Sequence, residues 1–286
     1  MIPAEFEYLR PASVQNAVTM LADAGEDAKV LAGGQSLLPL LRLRLAYPDV
    51  LIDTGRIPEL QEIRDDGDTL FIGAMATHDA VLHSALIHQE APLIALATAT
   101  VADPAVRHRG TFGGSLAHAD PAADLPAVVL ALDGVFIAAS AARGEREIPA
   151  SDFFVDYLTS ALEPDELLTG IRIPKLGPGW TAHYEKFHRT AQAWAIVGVA
   201  CAVRREDGVI QDSRVALTNM GSRPVRASRV ERAIYGATAT NSAFRSAAQH
   251  ADEDTTPPAD LHGSAEYRRH LARVLTARAL STAAAR

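Results

Sequence analysis

Ala28-Lys29-Val30-Leu31-Ala32-Gly33-Gly34-Gln35-Ser36-Leu37-Leu38-Pro39 carries the chain from an apolar run through two adjacent glycines into a leucine-rich run. Residues 28–31 are short and apolar and read as a strand. Paired glycines let the backbone turn sharply and approach a neighbour closely. Ser36 is placed to cap a helix over 37–45, with Pro39 in its first turn, where proline is tolerated. Tyr47-Pro48 ends that helix, and residues 50–53 form a second apolar strand. A strand–loop–helix–strand unit this compact predicts that its two strands are parallel. The loop opens on a helix N-terminus, whose unpaired N–H groups favour an anion by about 0.3–1 kcal/mol. A phosphate or pyrophosphate suits it. The spacing is neither Gly-x-Gly-x-x-Gly nor the Gly-Lys-Ser/Thr ending of a P-loop, so neither a nicotinamide dinucleotide site nor a triphosphatase is indicated. A tight turn without a ligand is the other reading of this loop taken alone.

Outward from this unit, Ser13 caps a helix with Val14, Ala17, Val18 and Leu21 on one face, and Gly25 stops it. Residues 62–64 and 69–73 flank Asp65-Asp66-Gly67-Asp68, a hairpin signal. Helical pattern returns near 77–83, 91–101 and 125–132, and strand pattern at 135–139 and 166–174. Leu176-Gly177-Pro178-Gly179 is the strongest linker signal. Beyond it come strands near 181–187, 196–203 and 214–220, then helices near 228–235, 242–251 and 264–280, with an alanine-rich end, 281–286, expected to fray. Strands grouped before helices predict an α+β architecture with a small C-terminal domain built on a three-stranded antiparallel sheet. The boundary is expected at 177: an N-terminal domain, 1–177, with lobes of about 1–55 and 56–177, and a C-terminal domain, 178–286.

With 286 residues, 48% of them hydrophobic and 22% charged, the chain can bury a substantial core, and disorder as its main state is excluded. Its 27 basic and 35 acidic residues leave a net charge of −8, so nucleic acid is not an expected partner. The longest run free of charged residues, 190–203, has 14 positions, short of the ~20 of a membrane-spanning helix. The start, Met1-Ile2-Pro3-Ala4-Glu5, has no basic region and no apolar core, so no secretory signal is expected and the cytoplasm is the expected location. A single cysteine, Cys201, excludes an internal disulfide, a thiolate zinc site and an iron–sulfur cluster ligated by this chain alone.

A second glycine-rich loop lies some 80 residues on, at Arg109-Gly110-Thr111-Phe112-Gly113-Gly114-Ser115, followed by Leu116-Ala117-His118-Ala119-Asp120-Pro121-Ala122-Ala123-Asp124. Thr111 and Ser115 offer hydroxyls to phosphate oxygens, and Asp124 offers an acceptor to a sugar hydroxyl. Two such loops suggest a long ligand with a phosphate centre and polyhydroxyl arms. Helix capping is the competing reading of Asp120 and Asp124.

These two stretches, Ala32 to Pro39 and Val106 to Asp124, closely resemble the two FAD motifs of the molybdenum hydroxylase family. The likeness is to its flavin-carrying medium subunit, typified by aerobic carbon monoxide dehydrogenase and also found as a module in xanthine dehydrogenases. It covers essentially the whole chain. It implies a two-lobed FAD-binding domain of the molybdopterin dehydrogenase type, closed over by the C-terminal domain. By motif position Ala32, Gly33, Gly34, Gln35 and Ser36, with Leu37 behind them, would hold the pyrophosphate. Thr111, Gly113, Gly114 and Ser115 would meet phosphate and ribityl groups, and Asp124 a sugar-chain hydroxyl. The family also places an apolar residue and a lysine near the flavin, which fall here on Leu168 and Lys186. Trp194 occupies the position of an aromatic close to the isoalloxazine. Read from the residues alone, Leu168 is equally a core strand position, Lys186 a solvated strand charge, and Trp194 a core tryptophan opening an apolar strand. His108 stands where the pattern often has asparagine, and Phe112 where isoleucine is common.

The resemblance further implies an electron-transfer subunit of an oxidoreductase. A small partner with 2Fe–2S clusters would supply electrons and a large partner would hold the molybdenum cofactor, in a dimer of heterotrimers. No general acid, base or metal ligand is expected in this chain. His78, His83 and His88 recur every five residues, share no helix face and make a poor metal site. Ser115, His118 and Asp120 lack the setting of a nucleophile elbow. Arg268, Arg269, Arg273 and Arg278 read as a solvated helix face. A self-contained FAD oxidase or reductase, and a non-catalytic nucleotide-binding module, are the alternatives.

Overall fold

The computed structural model describes residues 2–285. Among the described residues three larger sheets organise it, beside a two-stranded ribbon, Phe154–Asp156 with Thr159–Ser160. The first is three-stranded and parallel, in the order Glu7–Leu9, Val50–Asp53, Ala28–Leu31. Its two inner pairings include the expected parallel match, Ala28 to Val50 through Leu31 to Asp53. The second is five-stranded and antiparallel, in the order Ile63–Asp66, Thr69–Gly73, Glu166–Pro174, Val135–Ser140, Gly144–Pro149. The third holds Trp180–Phe187, Val197–Glu206 and Val209–Thr218, with a two-residue edge strand, Val225–Arg226. The three-stranded expectation for this sheet is therefore one short. Two residues after Arg223-Pro224 are too few to carry a periodic signal.

The central strand of the third sheet is buried on both faces, and its composition sorts by face. Ala200 and Ala202 point into the same core as Phe112, Val128, Phe136 and Ile171. Val197, Val199, Cys201 and Val203 point the other way, against Val230, Phe244, Leu275 and Leu280 of the C-terminal helices. Period-two alternation makes this division. Methyl-sized side chains on the first face let the helix Asp124–Ala131 lie close to the sheet, so one core runs across the expected boundary.

Four local expectations need correction. Ser36 makes no capping hydrogen bond and the helix is Leu37–Leu43, closed by Arg44 in the left-handed conformation. The segment Phe112–Ala117, expected as a glycine loop, is a helix capped by Thr111, whose hydroxyl accepts from the Gly114 N–H at 3.1 Å. Low glycine propensity lost there to packing: a Cβ on Gly113 would sit 2.5 Å from the Ala74 Cα. Arg268 is not solvated. It lies on the face of Ala265–Ala284 shared with Leu271, Ala272 and Leu275, is fully buried, pairs with Asp260 at 2.7 Å and donates to the Ile196 carbonyl. Finally, the same helix runs on to Ala284 with Ala283 and Ala284 in the core, because a methyl side chain fits where the helix crosses the sheet, so 281–284 do not fray. Arg286 lies outside the described residues.

Candidate functional site: one cleft between two glycine segments

The first glycine loop meets the second segment backbone to backbone. A Cβ on Gly33 would stand 2.1 Å from the Arg109 carbonyl oxygen and 2.7 Å from the Gly110 Cα. A Cβ on Gly114 would stand 2.6 Å from the Thr111 hydroxyl and 3.2 Å from the Ala32 Cβ. Gly34 has φ +74°, which favours glycine. The glycines thus let the two segments meet closely, and along their seam opens a cleft of about 530 Å³.

All fourteen expected site residues line this cleft: Ala32, Gly33, Gly34, Gln35, Ser36, Leu37, Thr111, Gly113, Gly114, Ser115, Asp124, Leu168, Lys186 and Trp194. Their hydrogen-bonding states differ. Among the described residues, no acceptor takes the main-chain N–H of Gly33, Gly34, Gln35 or Ser36. By contrast, Phe112 N–H donates to the Ala76 carbonyl, Gly113 to Ala74, and Gly114 to the Thr111 hydroxyl. The first loop therefore presents open donors and the second a nearly satisfied backbone with hydroxyls. Open N–H groups on a strand-to-helix turn suit phosphate oxygens. The cleft also falls within the ~300–1,000 Å³ common for cofactor sites. The residues present fit FAD.

Asp124 does not cap its helix, whose N-cap is Ala123. It sits in the first turn with its side chain 5% exposed. One carboxylate oxygen accepts from the Tyr184 hydroxyl at 2.8 Å and the other from Lys186 Nζ at 2.8 Å. Lys186 Nζ also donates to the Thr100 carbonyl at 3.0 Å. Lys186 is thus no solvated strand charge: its side chain is 3% exposed. Burial raises the Asp124 pKa from its ordinary value, against the attraction of Lys186 and the Tyr184 hydroxyl. Burial and the neighbouring Asp124 carboxylate push the Tyr184 phenol well above its ordinary range.

Leu168 is both core and cleft wall, 6% exposed, at the point where Glu166–Pro174 shifts register against Val135–Ser140. Trp194 is 56% exposed and stands in the cleft wall, so it is not a core tryptophan. Asp120 accepts from the Ala122 N–H at 2.8 Å, closing a turn rather than capping a helix. His108 reaches outward to Asp79 at 3.2 Å. Two contributors escaped the sequence reading. Tyr184 lies two positions before Lys186 on the same strand face, a spacing that could have marked it. His78 had no such signal. It is buried in the wall beside Gly110, its Nδ1 has no partner among the described residues, and burial with the nearby Arg107 charge lowers its pKa to about 4.

The chain resembles known proteins along nearly its whole length. Residues 4–176 match the family described as the FAD binding domain in molybdopterin dehydrogenase, and residues 182–283 the CO dehydrogenase flavoprotein C-terminal domain. The carbon monoxide dehydrogenase medium chain of Hydrogenophaga pseudoflava is 40% identical over 288 aligned positions, covering 100% of this chain and 99% of that one. The 6-hydroxypseudooxynicotine dehydrogenase complex subunit alpha of Paenarthrobacter nicotinovorans is 39% identical, covering 99% and 96%. A solved structure of the Hydrogenophaga pseudoflava carbon monoxide dehydrogenase lacking the Mo-pyranopterin moiety superposes with a TM-score of 0.96 at 41% identity, covering 100% of this chain and 99% of that one. With family matches over nearly the whole chain and relatives this similar along their full length, the chain belongs to the FAD-binding medium subunits of the molybdenum hydroxylase family, a family of oxidoreductase subunits.

Proposed function

We propose that the chain holds FAD along the seam between its glycine segments and relays electrons within a molybdenum hydroxylase complex. A small subunit with 2Fe–2S clusters supplies the electrons, a large subunit carries the molybdenum cofactor, and a terminal acceptor takes the electrons away. The observation that carries this reading is the row of open N–H groups at Gly33–Ser36, facing a cleft whose other walls include Asp124, Lys186 and Trp194. Bound there, FAD supplies a carrier that accepts electrons singly and releases them in pairs. The chain's own residues bind, orient and seal. Gly33, Gly34, Gln35 and Ser36 donate to the pyrophosphate, with Ala32 and Leu37 packed beside it. Thr111 and Ser115 would offer hydroxyls to the phosphate and ribityl groups, with Gly113 and Gly114 packed on Ala74 and Ala32 beside them. Asp124 would accept from a ribityl hydroxyl while its ion pair holds Lys186, which would stand in the wall near the ring. Leu168 and Trp194 form apolar walls that exclude water.

The lone thiol, Cys201, is buried in the C-terminal core, where burial raises its pKa, and one thiolate is too few for an iron–sulfur cluster. Clusters must therefore reside in partners. We read the assembly as a dimer of heterotrimers in the cytoplasm, and the chain as dividing near 177 into two lobes, 1–55 and 56–177, and a C-terminal domain. Support for that division is that the parallel sheet falls within the first lobe and the five-stranded sheet within the second. Among the described residues, no helix is long and apolar enough to cross a membrane.

The test is to purify the chain with and without its genomic neighbours. About one FAD per chain is expected in both preparations, with substrate-driven flavin bleaching only when the partners are present. Turnover of an organic substrate by the chain alone would overturn the relay reading in favour of a self-contained oxidase.

A further inference from the structure

The loop that carries Trp194 has open space on both sides. Ala193 and Trp194 line the larger cleft and also a second cavity, of about 540 Å³, behind it. The Trp194 side chain is itself more than half exposed. A segment that faces a cavity on either side lacks packing partners there, so packing alone does not fix it. What holds it is polar. Asn219 Nδ2 donates to the Ala195 carbonyl at 2.7 Å, and Arg268 donates to the Ile196 carbonyl, on the two residues that follow Trp194. Both donor residues are buried, where a hydrogen bond is electrostatically stronger than in water. Asp260 aims Arg268 in turn, accepting from its other terminal nitrogen at 2.7 and 2.8 Å.

Asn219 also holds a second wall segment. It directly follows the strand Val209–Thr218, has φ +62°, and its main-chain N–H donates to the Pro121 carbonyl at 2.8 Å. Pro121 stands three residues before Asp124, which lines the larger cleft. The left-handed conformation is costly for most side chains and tolerated by asparagine. Asparagine therefore meets two demands at this position: a left-handed turn that carries its N–H to Pro121, and an amide donor that reaches Ala195.

Resting on the FAD reading of the larger cleft, we infer that Asn219, backed by the Arg268–Asp260 pair, is a positioning residue for Trp194. It ties the main chain at Ala195 to the Asp120–Asp124 segment and so sets where the indole stands beside the flavin. Asn219 lines the cavity behind the loop and not the cleft, so it acts through the main chain and touches no cofactor. Without its amide the Ala195 carbonyl loses its donor, and the indole gains freedom to move between the two cavities.

Two emission measurements on the full chain test this, one without FAD and one with it. Trp180 lines neither cavity, and Trp180→Phe leaves Trp194 as the single tryptophan. In the flavin-free chain the anisotropy of Trp194 should decay with the slow rotation of the whole molecule. Asn219→Gly keeps the left-handed turn and the N–H to Pro121 and removes the amide; it should add a fast component from local motion. Asn219→Asp keeps the turn and sets a carboxylate against the Ala195 carbonyl. It should act in the same way, and serves should the glycine variant fail to fold. Unchanged slow decay in both variants overturns the proposal, as does a fast component already present in the parent.

In the FAD-loaded chain, an indole beside the isoalloxazine quenches flavin emission by transient electron donation to the excited ring. Emission per bound FAD should rise in Asn219→Gly toward the level of Trp194→Phe, and Asn219→Gly should add nothing in a Trp194→Phe background. An equal rise in that background would reflect a general loosening of the site and overturns the positioning role. Failure of the FAD reading would look different: the anisotropy would still respond to Asn219→Gly, while Trp194→Phe left the flavin emission unchanged.

Discussion

Lys186 Nζ lies 2.8 Å from Asp124 Oδ2, and this ion pair joins the third sheet to the helix that floors the cleft with both side chains almost wholly buried. A buried pair adds little net stability but is costly to break, because the remaining charge has no partner. Lys186→Met alone should cost about 3–5 kcal/mol in urea unfolding, whereas Lys186→Met with Asp124→Leu should recover most of that loss. Equal losses in the single and double variants would mean that the pair is not the cause.

Gly33 is governed by contact. Its missing Cβ would overlap the Arg109 carbonyl. Gly33→Ala should destabilise by about 1–3 kcal/mol even without FAD, through strain against the Arg109–Gly110 backbone. Gly177, with open space around it, is the control: Gly177→Ala should change stability by no more than about 1 kcal/mol. Thermal unfolding of flavin-free chains would separate this packing cost from loss of a ligand contact.

Ser36 and Thr111 look alike in the sequence and differ in the structure. Only Thr111 caps a helix. Thr111→Val should cost about 1 kcal/mol, the worth of a cap, while Ser36→Ala should stay within about 0.5 kcal/mol. Both are measured by denaturant midpoint in the flavin-free chain. A larger loss for Ser36→Ala would show a capping role that the geometry lacks.

His78 predicts an acid-side dependence. Its folded-state pKa of about 4 lies below the ordinary 6.5, so the unfolded chain binds the proton more readily between those values. Stability is therefore intact above about pH 6.5 and falls as pH drops towards 4, by a total of about 3 kcal/mol from this group. Unfolding free energies of wild type and His78→Gln should converge on acidification. Parallel pH profiles would contradict the assignment.

Much of this architecture was legible because local patterns and tertiary needs agree. The strand–glycine–helix–strand unit, the Asp65–Asp68 hairpin turn and the three long strands after Gly177 each carry their own periodicity or turn chemistry. Gathering fourteen residues into one cleft was legible only through motif resemblance, since spacing alone does not bring 33 to 110 or 124 to 186. What stayed hidden depends on neighbours. Gly113 and Gly114 sit in a helix because Ala74 and Ala32 approach them, and Arg268 is buried because its helix register turns it toward Asp260. Tyr184 carried only its spacing from Lys186 as a mark and His78 none, and both joined the site through the packing of the third sheet and the helix His78–His83.

The most direct measurement is an experimental structure of the chain loaded with FAD, at a resolution that places the pyrophosphate. Its oxygens should lie at hydrogen-bond distance, about 3 Å, from the N–H groups of Gly33–Ser36, with the ring reaching toward Lys186 and Trp194. A pyrophosphate bound away from that loop, or a flavin outside this cleft, would contradict the account.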